Sequence, residues 1–176
     1  NGITRKSKGV CRHHDRGPLG AAENKAALIR QIKMMKQMGC DAIRTAHNMP
    51  STMQMEICDS LGMMVMAESF DMWIYPKCKN GYAKFFKEWS DKDMTNLVKH
   101  HRNHPSIVMW SIGNEIPEQW SQEGVEIAKH LQDLCPQYDP SRPVTQGMAK
   151  AEDALTGGFT HALDVTGFTY PVNKDY

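Results

Sequence analysis

Five places in this sequence set titratable or amide side chains directly behind a short apolar run. They are His13, His14 and Asp15; Arg44, with His47 and Asn48 just beyond; Glu68; Asn114 with Glu115; and Tyr170. If the runs before them are parallel strands, these groups share one rim, because α/β folds build their sites at the carboxyl ends of strands. Two carboxylates, imidazole and amide donors, and the rings of Trp73 and Trp110 nearby are equipment for binding and cleaving a sugar. In that chemistry one carboxylic acid protonates the departing oxygen and a second carboxylate acts on the anomeric carbon.

Plainer roles compete for the same residues. Glu115 can be a structural rim carboxylate, Arg44 can form an ion pair with Glu68, and Trp73 can be a hydrophobic cover rather than a sugar platform. His13, His14 and Asp15 resemble two ligands and a carboxylate for a metal hydrolase, but neighbours on a strand point to opposite faces. His100, His101 and His104 cluster in sequence, yet His101 falls on an apolar stripe and no HExxH pattern is present. No metal and no cofactor are therefore expected.

The elements that must position these groups follow from periodicity. Residues 9–13, 41–45, 63–67, 106–112, 143–146 and 164–168 read as strands. The continuous apolar run of the fourth indicates burial on both faces. Between Asn24 and Met38, Leu28, Ile32 and Met35 recur at helical spacing, with Asn24 as cap and Gly39 as stop. A helix over 52–61 ends at Gly62. Ser90 opens a third helix, with Asp93 three residues on as a weak capping box. Ile127, Leu131 and Leu134 mark a fourth, and a short helix lies around 149–155. Met34, Met35 and Met38 are expected to fill core space.

Six strands alternating with five helical connections mean parallel βα units. The choice lies between an open doubly wound sheet and a barrel. No GxGxxG follows the first strand, which disfavours the first. A full (β/α)8 TIM barrel takes about 250 residues, so residues 1–176 read as one domain, the N-terminal three-quarters of such a barrel. Its open edges at the first and sixth strands predict self-association.

The composition agrees. With 21 Lys+Arg against 20 Asp+Glu the net charge is +1, which supplies no phosphate-neutralising surface and argues against nucleic acid as a partner. No apolar run approaches the roughly 20 residues of a membrane helix, and the first residues lack the apolar segment of a signal peptide. No compartment is assigned. The five cysteines are odd in number and widely spaced, which favours reduced thiols over a disulfide framework.

The stretch Arg102-Asn103-His104-Pro105-Ser106-Ile107-Val108-Met109-Trp110-Ser111-Ile112-Gly113-Asn114-Glu115 resembles the acid/base signature of glycoside hydrolase family 2. Ile43-Arg44-Thr45-Ala46-His47-Asn48-Met49-Pro50 is similar to that family's second-strand motif, and residues 58–68 to its third. Gly9-Val10-Cys11-Arg12-His13-His14-Asp15 matches its first, with Cys11 in place of the usual Asn. The resemblance runs from about Lys8 to Tyr170. It implies a retaining glycosidase with Glu115 as general acid/base and Asn114 bonding the sugar 2-hydroxyl. Arg44 and His47 would line the sugar subsite, Tyr170 would sit near the nucleophile, and His13 and Asp15 would meet sugar hydroxyls. Glu68 would serve site structure. The family's nucleophile, a Glu on the seventh strand, would lie beyond this chain, leaving the chain alone inactive. The segments 15–22 and 68–73 look most like the β-galactosidase branch. β-Glucuronidase and β-mannosidase are the alternatives within the family, and a non-catalytic carbohydrate-binding fragment is the alternative outside it.

Overall fold

The computed structural model describes residues 3–170. One sheet holds six strands in chain order: β1 (Gly9–His13), β2 (Ala42–Ala46), β3 (Met64–Glu68), β4 (Ile107–Asn114), β5 (Val144–Met148) and β6 (Val165–Phe168). Every neighbouring pair is parallel. The connections carry α1 (Lys25–Gln37), α2 (Thr52–Leu61), α3 (Ala83–His101), α4 (Gln122–Tyr138) and α5 (Ala151–Thr156). A strand order equal to the chain order is the progression of a (β/α)8 barrel, here with six of its eight strands. Among the described residues β1 and β6 form the outer edges of the sheet.

Local chemistry starts and stops the helices where expected. Asn24 accepts the Ala27 amide at 3.0 Å, and Ser51 accepts that of Gln54 at 3.1 Å; each satisfies an amide left free by the first turn. α2 ends at Gly62 in the left-handed conformation (φ 64°), which costs a residue without a Cβ least.

The helix expected from Ser90 begins earlier, at Ala83, and Ser90 lies buried inside it. Phe86, Ser90, Met94, Leu97, Val98 and His101 form one continuous buried stripe, so packing extends the helix past the cap signal. Asp93 is bonded to the Tyr82 hydroxyl and caps nothing. The methionine expectation also changes. Met34 and Met38 are 44% and 74% exposed, while Met35 packs against the core beside Leu28 and Ile32 as expected.

Alternation along the strands separates two surfaces. Ile43, Val65, Ala67, Trp110 and Val144 are buried in one cluster with Leu28, Met55, Met94 and Leu131 of the helices. Arg44, Glu68 and Ser111 are joined by hydrogen bonds on the other surface. β4 is less uniformly buried than its apolar run suggests. Val108 is 41% exposed and borders a cavity of about 280 Å³ with Val10, Cys11, Arg44 and Met66, on the concave surface that six strands leave open.

Candidate active site

Glu68, the last residue of β3, is fully buried and both its oxygens are engaged. Oε2 accepts from Arg44 Nε at 2.7 Å and from Ser111 Oγ at 2.6 Å. Oε1 faces His47 Nδ1 at 2.8 Å. A buried carboxylate is tolerated when it is paired and its lone pairs are filled. Burial works against the Arg44 charge, but Glu68 outweighs it and raises the guanidinium above its usual range. With Nδ1 donating to Glu68, a neutral His47 presents Nε2 as an acceptor on its other side.

Arg44 also reaches β4. Its Nη2 donates to Asn114 Oδ1 at 2.8 Å, passing over Gly147 of β5. A Cβ at Gly147 would lie 2.9 Å from that nitrogen, so only a glycine leaves the guanidinium its path. Asn114 Nδ2 donates to Asp71 Oδ1 at 3.0 Å. A cation at the amide oxygen and an anion at the amide nitrogen allow one orientation of the Asn114 side chain.

Glu115 follows at once, with φ 45°, a conformation uncommon outside glycine. Its amide donates to Gly147 O at 2.7 Å. Tyr170 is exposed, and Glu115 raises its phenol above the usual value through hydrogen bonding and charge.

Beside this array lies a cavity of about 400 Å³, lined by His13, His47, Asn48, Asp71 and Tyr82 among others. The His13 and His47 rings meet edge to face, 5.1 Å between centroids. Burial alone would raise the Asp71 carboxyl, but hydrogen bonds from Asn114 and Lys77 outweigh it and hold it below the usual carboxylate range.

The structure thus brings Arg44, His47, Glu68 and Asn114 into one hydrogen-bonded array, with Glu115 and Tyr170 next to it and His13 against the His47 ring. Asp15 stands apart: it is exposed and accepts the Gly17 amide at 2.9 Å. His14 turns to the Ala21 carbonyl, so the three adjacent residues 13–15 diverge. Among the described residues no group of three or more His, Cys, Asp or Glu could hold a metal ion. Trp73 is the hydrophobic residue of its two expected roles and not the sugar platform. It is fully buried, its indole N–H donates to the Ile112 carbonyl at 3.0 Å, and its ring packs between Phe86 and Phe159. It stacks on core aromatics and has no face for a sugar. Trp110 is likewise buried in the core, bonded to Asp139. Asp71 and Lys77 went unnoticed in sequence. Asp71 sits three residues past Glu68, where the strand-end rule could have found it; nothing in the sequence marked Lys77.

A parallel sheet in chain order with polar side chains gathered at its carboxyl rim defines a class, the α/β barrels. The comparisons narrow it. The family described as glycosyl hydrolases family 2, TIM barrel domain, matches residues 1–164, and the chain belongs to that family. It is 38% identical over 99% of its length to a β-galactosidase, BoGH2A, of Bacteroides ovatus, covering 24% of that protein. It is 40% identical over 96% of its length to a putative β-glucuronidase of Formosa agariphila, covering 16% of it. Among solved structures, a glycosyl hydrolase family 2 member from Bacteroides cellulosilyticus superposes with a TM-score of 0.93 at 42% identity, over 98% of this chain and 22% of that one. The chain therefore spans about a quarter or less of the length of these relatives.

Proposed function

We propose that these residues form the acid/base half of a retaining β-glycosidase and that the preferred substrate is a terminal β-galactoside. Glu115 donates its proton to the glycosidic oxygen as the bond to the anomeric carbon breaks, while a second carboxylate, supplied from outside these 176 residues, attacks that carbon. Glu115 then takes a proton from water, and the resulting hydroxide displaces the enzyme carboxylate and releases the sugar. Asn114 bonds the 2-hydroxyl, and His13 and His47 meet hydroxyls on the cavity side.

The observation that carries the reading is the state of the two rim glutamates. Glu68 is fully buried and held by three donors, so it presents no exposed oxygen to an anomeric carbon. Glu115 stands on a strained peptide at the tip of β4, beside an amide locked by Arg44. Relatives named for galactosides and for glucuronides both match, and a uronic acid needs a cation for its carboxylate. Arg44 and Lys77, the cations at Asn114, are already committed to Glu68 and Asp71, so neither is free for that role.

The test is hydrolysis of phenyl β-galactoside and phenyl β-glucuronide by the full-length protein and its Glu115→Gln variant. Turnover of the galactoside, lowered about a hundredfold or more by the substitution, supports the reading. Preferential turnover of the glucuronide overturns the substrate assignment, and an unaffected variant overturns the role of Glu115.

A further inference from the structure

We propose that Lys77, backed by Asp71, is a positioning residue that clamps the Asn114–Glu115 peptide and so aims the Glu115 proton at the leaving group. The inference rests on Glu115 being the proton donor. Lys77 lies in the connection between β3 and α3, yet its ammonium reaches across to the tip of β4. Nζ donates to the Asn114 carbonyl oxygen at 2.6 Å and to Asp71 Oδ1 at 3.0 Å. A lysine in a surface connection ordinarily keeps its head group in water. Here the side chain is only 26% exposed, and the stem is spent on a backbone carbonyl.

The hydrogen bonds of Asn114 show what the clamp completes. Its N–H donates to Phe70 O at 3.0 Å, its Oδ1 accepts from Arg44, its Nδ2 donates to Asp71, and its carbonyl accepts from Lys77. One Nδ2 hydrogen is left over for a ligand. The peptide joining Asn114 to Glu115 is gripped from both ends, at its carbonyl by Lys77 and at its N–H by Gly147 O. That double grip bears on the residue that needs it, because Glu115 sits at φ 45°, where a side chain persists only when its surroundings over-determine the backbone. With the carbonyl released, the peptide can rotate towards an ordinary φ and carry the carboxyl group with it. Asp71 keeps the ammonium in place and neutralises it, so the cation serves the backbone and not the sugar.

A misaimed acid harms substrates in proportion to their need for a proton. The experiment compares kcat/KM of the full-length protein for phenyl and 2,4-dinitrophenyl glycosides of the sugar it hydrolyses; the dinitrophenolate leaves without protonation. Lys77→Met is expected to lower the phenyl value about ten- to a hundredfold and the dinitrophenyl value less than about threefold, with an unchanged Tm. Lys77→Arg is expected to restore most of the loss. Equal losses on both substrates, or none, overturn the proposal. If Lys77→Met does not fold, Lys77→Gln carries the same comparison; if neither folds, Lys77 is a folding residue and the proposal falls. Glu115→Gln run alongside separates the two readings. Leaving-group dependence in Glu115→Gln but not in Lys77→Met sinks the clamp alone, and its absence from Glu115→Gln sinks the proton-donor assignment and the clamp with it.

Discussion

Replacing Glu68 by Gln keeps the shape of the side chain and removes its charge, at a position fully shielded from water. The structure dictates how the amide must turn. Its oxygen belongs where Oε2 now accepts from Arg44 Nε and Ser111 Oγ, because its NH2 there would face two donors. The NH2 then faces His47 Nδ1, which can accept only if its proton moves to Nε2. The number of hydrogen bonds is unchanged, but Arg44, whose side chain is 13% exposed, loses the carboxylate 2.7 Å away. Breaking a buried ion pair from one side costs about 3–5 kcal/mol, and retained neutral hydrogen bonds recover about 1 kcal/mol each. With two such bonds kept, to Ser111 and His47, a loss of about 1–3 kcal/mol is expected. Urea unfolding followed by tryptophan fluorescence measures it, since Trp73 and Trp110 are buried. The Arg44→Met/Glu68→Gln pair should be less costly than the sum of its singles by about 2 kcal/mol, because the double variant leaves no orphaned charge. A single-variant cost under about 1 kcal/mol, or strict additivity, would refute the claim that one carboxylate organises this rim.

Three further outcomes are expected. His101 is 2% exposed, and burial first, with His104 and His100 adding to it, lowers its pKa from 6.5 to about 4. As pH falls below about 6.5 the unfolded chain binds the proton before the folded one does, so stability drops between pH 6.5 and 4 by up to about 3 kcal/mol; His101→Phe should flatten that slope, and an identical slope in both proteins refutes it. A Cβ on Gly124, in the first turn of α4, would lie 2.0 Å from the Glu118 carbonyl oxygen. Overpacking of about 3 kcal/mol outweighs about 1 kcal/mol of helix propensity, so Gly124→Ala should destabilise by about 2 kcal/mol in thermal unfolding, and unchanged stability would show that the 117–120 turn yields freely. Burial pushes the Cys58 and Cys135 thiols up to about 12; iodoacetamide at pH 8 should label neither until the protein is denatured, and labelling at native rates would contradict the packing described.

What could be read without a structure was local. The helix start at Asn24, the stop at Gly62 and the alternation of βα units all depend on residues within a turn or two of each other, which is why fold class and rim positions were legible. The roles proposed for Asn114 and Glu115 came from the family resemblance. Trp73 misled because an aromatic residue past a strand end looks the same in sequence whether it faces a cavity or packs against Phe86 and Phe159. The start of α3 misled because Ser90 is a good cap in isolation, while the buried stripe from Phe86 to His101 outweighs one capping bond. The pairing of the rim was not encoded at short range at all. Arg44 meets Asn114 across 70 residues of chain, and Lys77 meets the Asn114 carbonyl across 37. Parallel strands bring their carboxyl ends side by side only after the intervening helices have packed. Which charge then neutralises which is decided by register, by the space over Gly147, and by exclusion of water from Glu68.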